Sequence, residues 1–162
     1  MELKLCDIVD AEGALNRLFG CHPKKARDAF RVARIKREIA PILADYWDAR
    51  QRLLEQHAIK SKDEPNRWLF VCVDEDGEPI FEFDEDDKEK KNSRTKLDLE
   101  ALETFSSELD ELADTEGVEI NSVITLAQIE RLGLDPAMTP AEMASLWWLI
   151  KEFQEDIKIE DE

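Results

Sequence analysis

From Pro23 to about residue 59, apolar side chains recur at steps of three and four: Ala29, Val32, Ile35, Ile39, Ile42, Tyr46, Ala49 and Leu53. That spacing lines one face of an α-helix, and Pro23 stands in the favoured first turn. Such a helix spans roughly 50 Å at ~1.5 Å per residue, longer than a small body needs, so the other elements must pack along it. Pro41 removes a backbone donor inside it, which predicts a kink or a break into two helices. The outer face is basic, carrying Lys24, Lys25, Arg27, Arg31, Arg34, Lys36 and Arg37.

This basic face is exceptional in the chain. Residues 21–54 hold nine Lys/Arg against four Asp/Glu, whereas the other residues hold 13 against 35. The formal charge of −17 opposes nonspecific attraction to nucleic acid or an anionic membrane. Direct nucleic-acid binding is therefore disfavoured, and a protein partner, or the chain's own carboxylates, is the expected counterpart of the cationic residues Lys24, Arg27, Arg31 and Arg34. The internal pairing is the favoured reading, because charge stripes are usually solvated or locally paired.

The length of 162 residues fits a single domain with a core of its own. Cys6, Cys21 and Cys72 are odd in number and show no metal-ligand spacing, which points to a reducing compartment. The first residues have neither the basic nor the apolar run of a secretory leader, and no apolar stretch approaches membrane-spanning length. The expected location is the cytoplasm.

Residues 2–6 read as a short strand, followed by a short helix that Asp10 begins and Gly20 stops. Residues 67–83 read as a β-hairpin, with aromatic and β-branched runs flanking Asp76-Gly77. The charged run to Thr95 reads as a solvated connection. A second helix over about 98–113 carries Leu99, Leu102, Phe105, Leu109 and Leu112, and residues 118–124 alternate like a strand able to pair with the N-terminal one. Thr125 is a helix cap, and Thr139-Pro140-Ala141-Glu142 combines a capping box with proline at the first helical position. Residues 155–162 read as an acidic tail. The predicted fold class is α+β, mainly α: a long antiparallel helical hairpin with a small β-hairpin and a C-terminal helical segment.

No constellation spells out a reaction. Asp74, Asp76 and Gly77 imitate part of a calcium loop, but the first and twelfth positions would then be Cys72 and Phe83, which are unsuitable ligands. The two histidines, His22 and His57, assemble no nucleophilic or zinc motif, and no phosphate-cradling glycine pattern occurs. No cofactor, metal or catalytic residue is assigned, and a carboxylate-metal enzyme is the weakest alternative. Two further surface candidates remain. The acidic row ending in Asp84, Glu85, Asp86 and Asp87 could imitate a phosphate backbone, although a solvated loop is favoured. In the final helical segment Trp147 lies on the core stripe and Trp148 falls off it, so Trp148 is a candidate partner anchor.

Ala14-Leu15-Asn16-Arg17-Leu18, the run Ala49 to Glu55, the Glu-Leu-rich segment 108–112, Val118-Glu119-Ile120, and Leu134 through Met143 occur in this order. The chain thereby resembles a group of small, acidic phage and prophage proteins of uncharacterised function. The resemblance implies origin and fold rather than mechanism and supplies no functional residue. Residues 68–83 are more apolar than the polar linker of that group, which implies an added binding surface. The expected function is non-enzymatic: binding a protein partner, host or phage, in virion assembly or in disabling a host defence system. The alternatives are an acidic nucleic-acid mimic and a structural virion component. Oligomeric state stays open, since a second copy can cover an apolar helical stripe as well as the chain itself can.

Overall fold

A computed structural model describes residues 3–83 and 93–160, the side chains of 156–160 apart. The protein is mainly helical with two small antiparallel sheets. Its contacts divide the chain into two compact units, residues 1–46 with 112–162 and residues 47–111.

The first unit opens with α1 (Leu5–Asp10) and α2 (Glu12–Gly20), followed by α3 (Ala26–His57), which runs on into the second unit. Of the expected strand over residues 2–6, Leu5 and Cys6 instead begin α1. Leu3 alone keeps the anticipated pairing, an antiparallel bridge to Val118. The long helix passes through Pro41 without dividing into two, which corrects the alternative of a break. Of the expected stripe Val32, Ile35, Ile39 and Tyr46 are buried, while Leu43 and Leu54 take the buried places expected of their neighbours Ile42 and Leu53. Within this unit Val32, Ile35, Ile39 and Leu43 meet Ile8, Leu15 and Leu18 from α1 and α2 and Ile124, Leu146, Leu149 and Ile150 from the C-terminal segment, forming one apolar core.

Both capping boxes form. Thr125 caps α5 (Leu126–Leu132), which Gly133 closes at φ 65°, a left-handed conformation that glycine adopts without a Cβ penalty. Thr139 caps α6 (Pro140–Ser145). The last helix expected from Thr139 onward is in fact two. The backbone leaves the helix after Ser145, Ile150 makes a parallel bridge with Ile124, and α7 (Lys151–Glu160) begins afterwards, extending into the predicted tail. The cause is packing: Leu146, Trp148, Leu149 and Ile150 are all buried, and four positions so close together cannot share one helical face.

Glu142 ties this region together. Besides accepting from the Thr139 amide at 2.7 Å, it accepts from Arg17 at 2.7 and 2.6 Å, and Arg17 also donates to the Pro136 carbonyl. The Arg17 guanidinium first, and then the Thr139 amide, hold the Glu142 carboxyl below the usual glutamate range. A carboxyl depressed in the folded state stabilises above its unfolded pKa and ceases to do so as pH falls through the folded value. Glu142→Gln should therefore melt below the wild type at pH 6, with the gap closing as the pH drops below about 4. Thermal unfolding followed across pH checks this, and a gap independent of pH would show that the ion pair is not the cause.

In the second unit β1 (Ile59–Lys60) pairs with β2 (Trp68–Leu69), and β3 (Phe81–Phe83) with β4 (Ser93–Thr95). The predicted hairpin over 67–83 is thus reorganised. Its turn is present, with Gly77 at φ 80° and a bridge between Val73 and Pro79, but its strands take partners from outside it. One partner, β4, lies in the segment read as a solvated connection. The second predicted helix is α4 (Leu99–Ala113), started by Asp98, whose carboxylate accepts from the Ala101 amide at 3.0 Å. Only Phe105 of its stripe is buried, while Leu99 and Leu102 are exposed.

Candidate functional site

The basic face of α3 borders a groove within the first unit. Arg27, Phe30, Arg31, Arg34 and Ile35 form one side, residues 121–123 form the other, and the enclosed volume is about 210 Å³. Positions 27, 30, 31 and 34 lie at helical steps of three and four, so one face collects three guanidinium groups around an aromatic ring. Ile35 is fully buried and forms the base, whereas Phe30 is 65% exposed at the lip with Val123 opposite. No carboxylate lines this groove, in a chain with 39 acidic residues.

Glu38, one turn further along α3, positions the opposite wall. Its carboxylate accepts from the amides of Asn121 and Ser122, the latter at 3.0 Å. Burial alone would raise its pKa. The nearby Ser122 hydroxyl, the two amides and the charge of Arg34 together outweigh burial and bring the carboxyl below the glutamate range. The Ser122 hydroxyl is buried and, although close to this carboxylate, makes no hydrogen bond of proper geometry among the described residues. On its far side the wall is held by the Ile124 amide donating to the Leu149 carbonyl at 2.9 Å.

Among the described residues, no carboxylate lies within ion-pair distance of Lys24, Arg27, Arg31 or Arg34. The favoured internal pairing is thus not seen as ion pairs of these four, although the charge of Arg34 acts on the Glu38 carboxyl. The acidic side chains of this part of α3 are otherwise engaged: Asp28 is buried and paired with Arg131 at 3.3 Å, and Glu38 holds the wall. Arg27, Arg31 and Arg34 come together at the groove, and Lys24 lies exposed in the bend that precedes the helix.

Trp148 is not a surface anchor. It is 2% exposed and its indole N–H donates to the Asp7 carbonyl at 3.2 Å, while Trp147, expected in the core, is half-buried and packs against it. Asp84, Glu85, Asp86 and Asp87 lie outside the described residues. Earlier in that acidic row, Asp74 is taken up by its own turn, accepting from the amides of Asp76 and Glu78 at 3.0 and 2.9 Å. Among the described residues, no group of three His, Cys, Asp or Glu side chains converges as a metal site.

Phe30, Asn121 and Val123 were missed by sequence reasoning. Phe30 had a signal, an aromatic three residues from Arg27 and four from Arg34 and off the core stripe. The 121–123 wall had none, because it arrives through contacts more than eighty positions away along the chain.

Among the described residues, no helix is long and apolar enough to cross a membrane. No protein-family model, characterised protein or solved structure matches the chain at significant similarity.

Proposed function

We propose that the protein is a non-enzymatic binding protein, phage-encoded in keeping with its resemblance, that receives an acidic segment of a protein partner on the α3 groove. The observation that supports this most directly is Phe30, a large aromatic left 65% exposed beside three arginines, none of which makes an ion pair among the described residues. Exposed aromatics and arginines are the residues that concentrate binding energy at interfaces. A partner would set carboxylates against Arg27, Arg31 and Arg34 and an apolar side chain against Phe30 and Val123. The chain's net charge of −17 discourages nucleic acid from the same face. Virion assembly and inhibition of a host defence system are the two roles consistent with such binding. The same reading takes α3 and α4 as an antiparallel helical hairpin, which a single contact in the second unit, His57 to Glu108 at 2.8 Å, supports.

The test is affinity capture from infected or lysogenic cells, followed by measured binding of the captured protein. Arg27→Glu with Arg31→Glu and Phe30→Ala should weaken that binding by about a hundredfold or more while leaving the melting profile near wild type, since hot-spot truncations cost about 2 kcal/mol or more each. Unchanged affinity would remove the groove from the interface. Capture that instead depends on Asp84 to Asp87 would favour the acidic mimic, and stoichiometric presence in purified particles would favour a structural virion component.

A further inference from the structure

A second cavity lies wholly within the other unit and is larger, about 630 Å³. The β1–β2 ladder builds one wall. Lys60 and Trp68 are directly opposed in its register, so both side chains stand on the same face, and Lys60 Nζ lies 5.0 Å from the centre of the Trp68 ring. Phe70 continues that face two residues on and meets Phe105 of α4 with ring centres 5.1 Å apart. Leu54 and Phe105, both buried, form the apolar base. One turn of α3 back from Leu54, Arg50 stands at the rim.

The turn between the strands lines the other side of this open cleft and presents Asn66 and Arg67. It is shaped by its own hydrogen bonds: the Arg67 amide donates to the Glu64 carbonyl and the Ser61 amide to the Arg67 carbonyl, each at 2.9 Å. Arg67 also pairs with Glu64 at 3.2 Å, both side chains being largely in solvent, a contact of little strength. The lining thus combines three cations with aromatic rings and contains no carboxylate of its own.

We infer that this cavity binds a nucleoside monophosphate. Its volume is in the range of small-ligand sites, about 300–1,000 Å³. A planar base would lie against Trp68 and Phe70, where stacking is tolerant of base identity. The phosphate would sit among Arg50, Lys60 and Arg67, whose charge-assisted hydrogen bonds are the strong kind. The amides of Gln51 and Asn66 at the rim offer donors and acceptors to the base edge. The formal charge of −17 repels an anion at long range, but screening over about 8 Å at physiological ionic strength leaves the cations at contact distance in control. This inference is independent of partner binding at the α3 groove, because no residue is shared between the two sites.

Tryptophan emission is a built-in reporter, since Trp47 and Trp68 belong to this unit and Trp147 and Trp148 to the other. AMP and UMP titrated into the full chain should each change the emission saturably, with inorganic phosphate and adenosine binding at least tenfold more weakly than AMP. Lys60→Gln with Arg67→Gln, both exposed positions whose loss should leave the fold intact, should weaken AMP by about tenfold or more. The groove variant carrying Arg27→Glu and Arg31→Glu should bind AMP as the wild type does. Absence of saturable binding, phosphate binding as tightly as AMP, or an unaffected Lys60→Gln/Arg67→Gln variant would each overturn the assignment. Tighter binding of a phosphotyrosine peptide than of either nucleotide would overturn it in favour of a modified protein tail.

Discussion

Trp148→Ala is expected to lower the free energy of unfolding by about 3–5 kcal/mol, the range for removing a large aromatic from a core. Trp148 is 2% exposed, among Ile8, Ile124, Leu146 and Ile150 in the core of the first unit, and its indole donates to the Asp7 carbonyl. Alanine would leave a cavity and an unmet carbonyl together. Since small proteins are stable by only about 5–15 kcal/mol, the variant should be near the edge of folding. Trp148→Phe keeps most of the ring and loses the hydrogen bond, so a smaller loss of about 1–2 kcal/mol is expected from it. The half-buried Trp147 supplies the internal control, because Trp147→Ala should cost clearly less than Trp148→Ala. Urea unfolding of the three variants decides the matter: if Trp147→Ala is the more damaging, the backbone break after Ser145 is wrongly placed.

That break marks the limit of what periodicity can reveal. The stripe Val32, Ile35, Ile39 and Tyr46 was legible because a single helix carries its own phase, and so were the Thr125 and Thr139 caps, whose hydrogen bonds close within three residues. The run Leu146 to Ile150 was read as more helix because its start signal was sound. The apolar excess on several faces was in fact the sign that the chain stops being helical there. Likewise Ile59 and Lys60, at the end of a helical pattern, and Ser93 to Thr95, in a charged run, are two- and three-residue strands whose only specification is the partner across from them. Short ladders of this kind owe their existence to tertiary context more than to β propensity.

The candidate site was half legible for a related reason. Arg27, Arg31 and Arg34 announce a cationic face by spacing alone. Whether that face is neutralised depends on where distant carboxylates fall, and Asp28, Glu38 and Glu142 turn out to be committed to structure. The second unit offers the converse case. Phe81 and Leu99 were expected in a hairpin and a helix stripe, and Leu97 lies between the connection and that helix, yet all three are more than half exposed. Their exposure became visible only once β3, β4 and the start of α4 were placed.

Glu38→Ala is expected to separate the groove's architecture from its charge. The carboxylate is the acceptor for the amides of Asn121 and Ser122, and Ser122 is buried, so alanine leaves at least one donor unmet at a cost of about 1–3 kcal/mol. It also frees residues 121–123 from α3, so the wall opposite Phe30 should loosen and partner affinity at the groove should fall although every arginine remains. Glu38→Gln retains a side-chain oxygen able to accept one amide and removes the negative charge beside Arg34, so it should lose less stability than alanine. The wild-type contribution has a defined pH dependence. The folded carboxyl lies below its ordinary range, so the stabilisation is full above the unfolded value, about 4.3, and disappears as pH falls through the folded one. Glu38→Gln should therefore match the wild type more closely at pH 3 than at pH 7, whereas the Glu38→Ala deficit should persist in part at both. Faster amide hydrogen exchange at Ser122 in Glu38→Ala, with Ile39 and Leu43 in α3 unchanged, would locate the effect in the wall. Equal exchange in all three proteins would mean that Glu38 does not hold it.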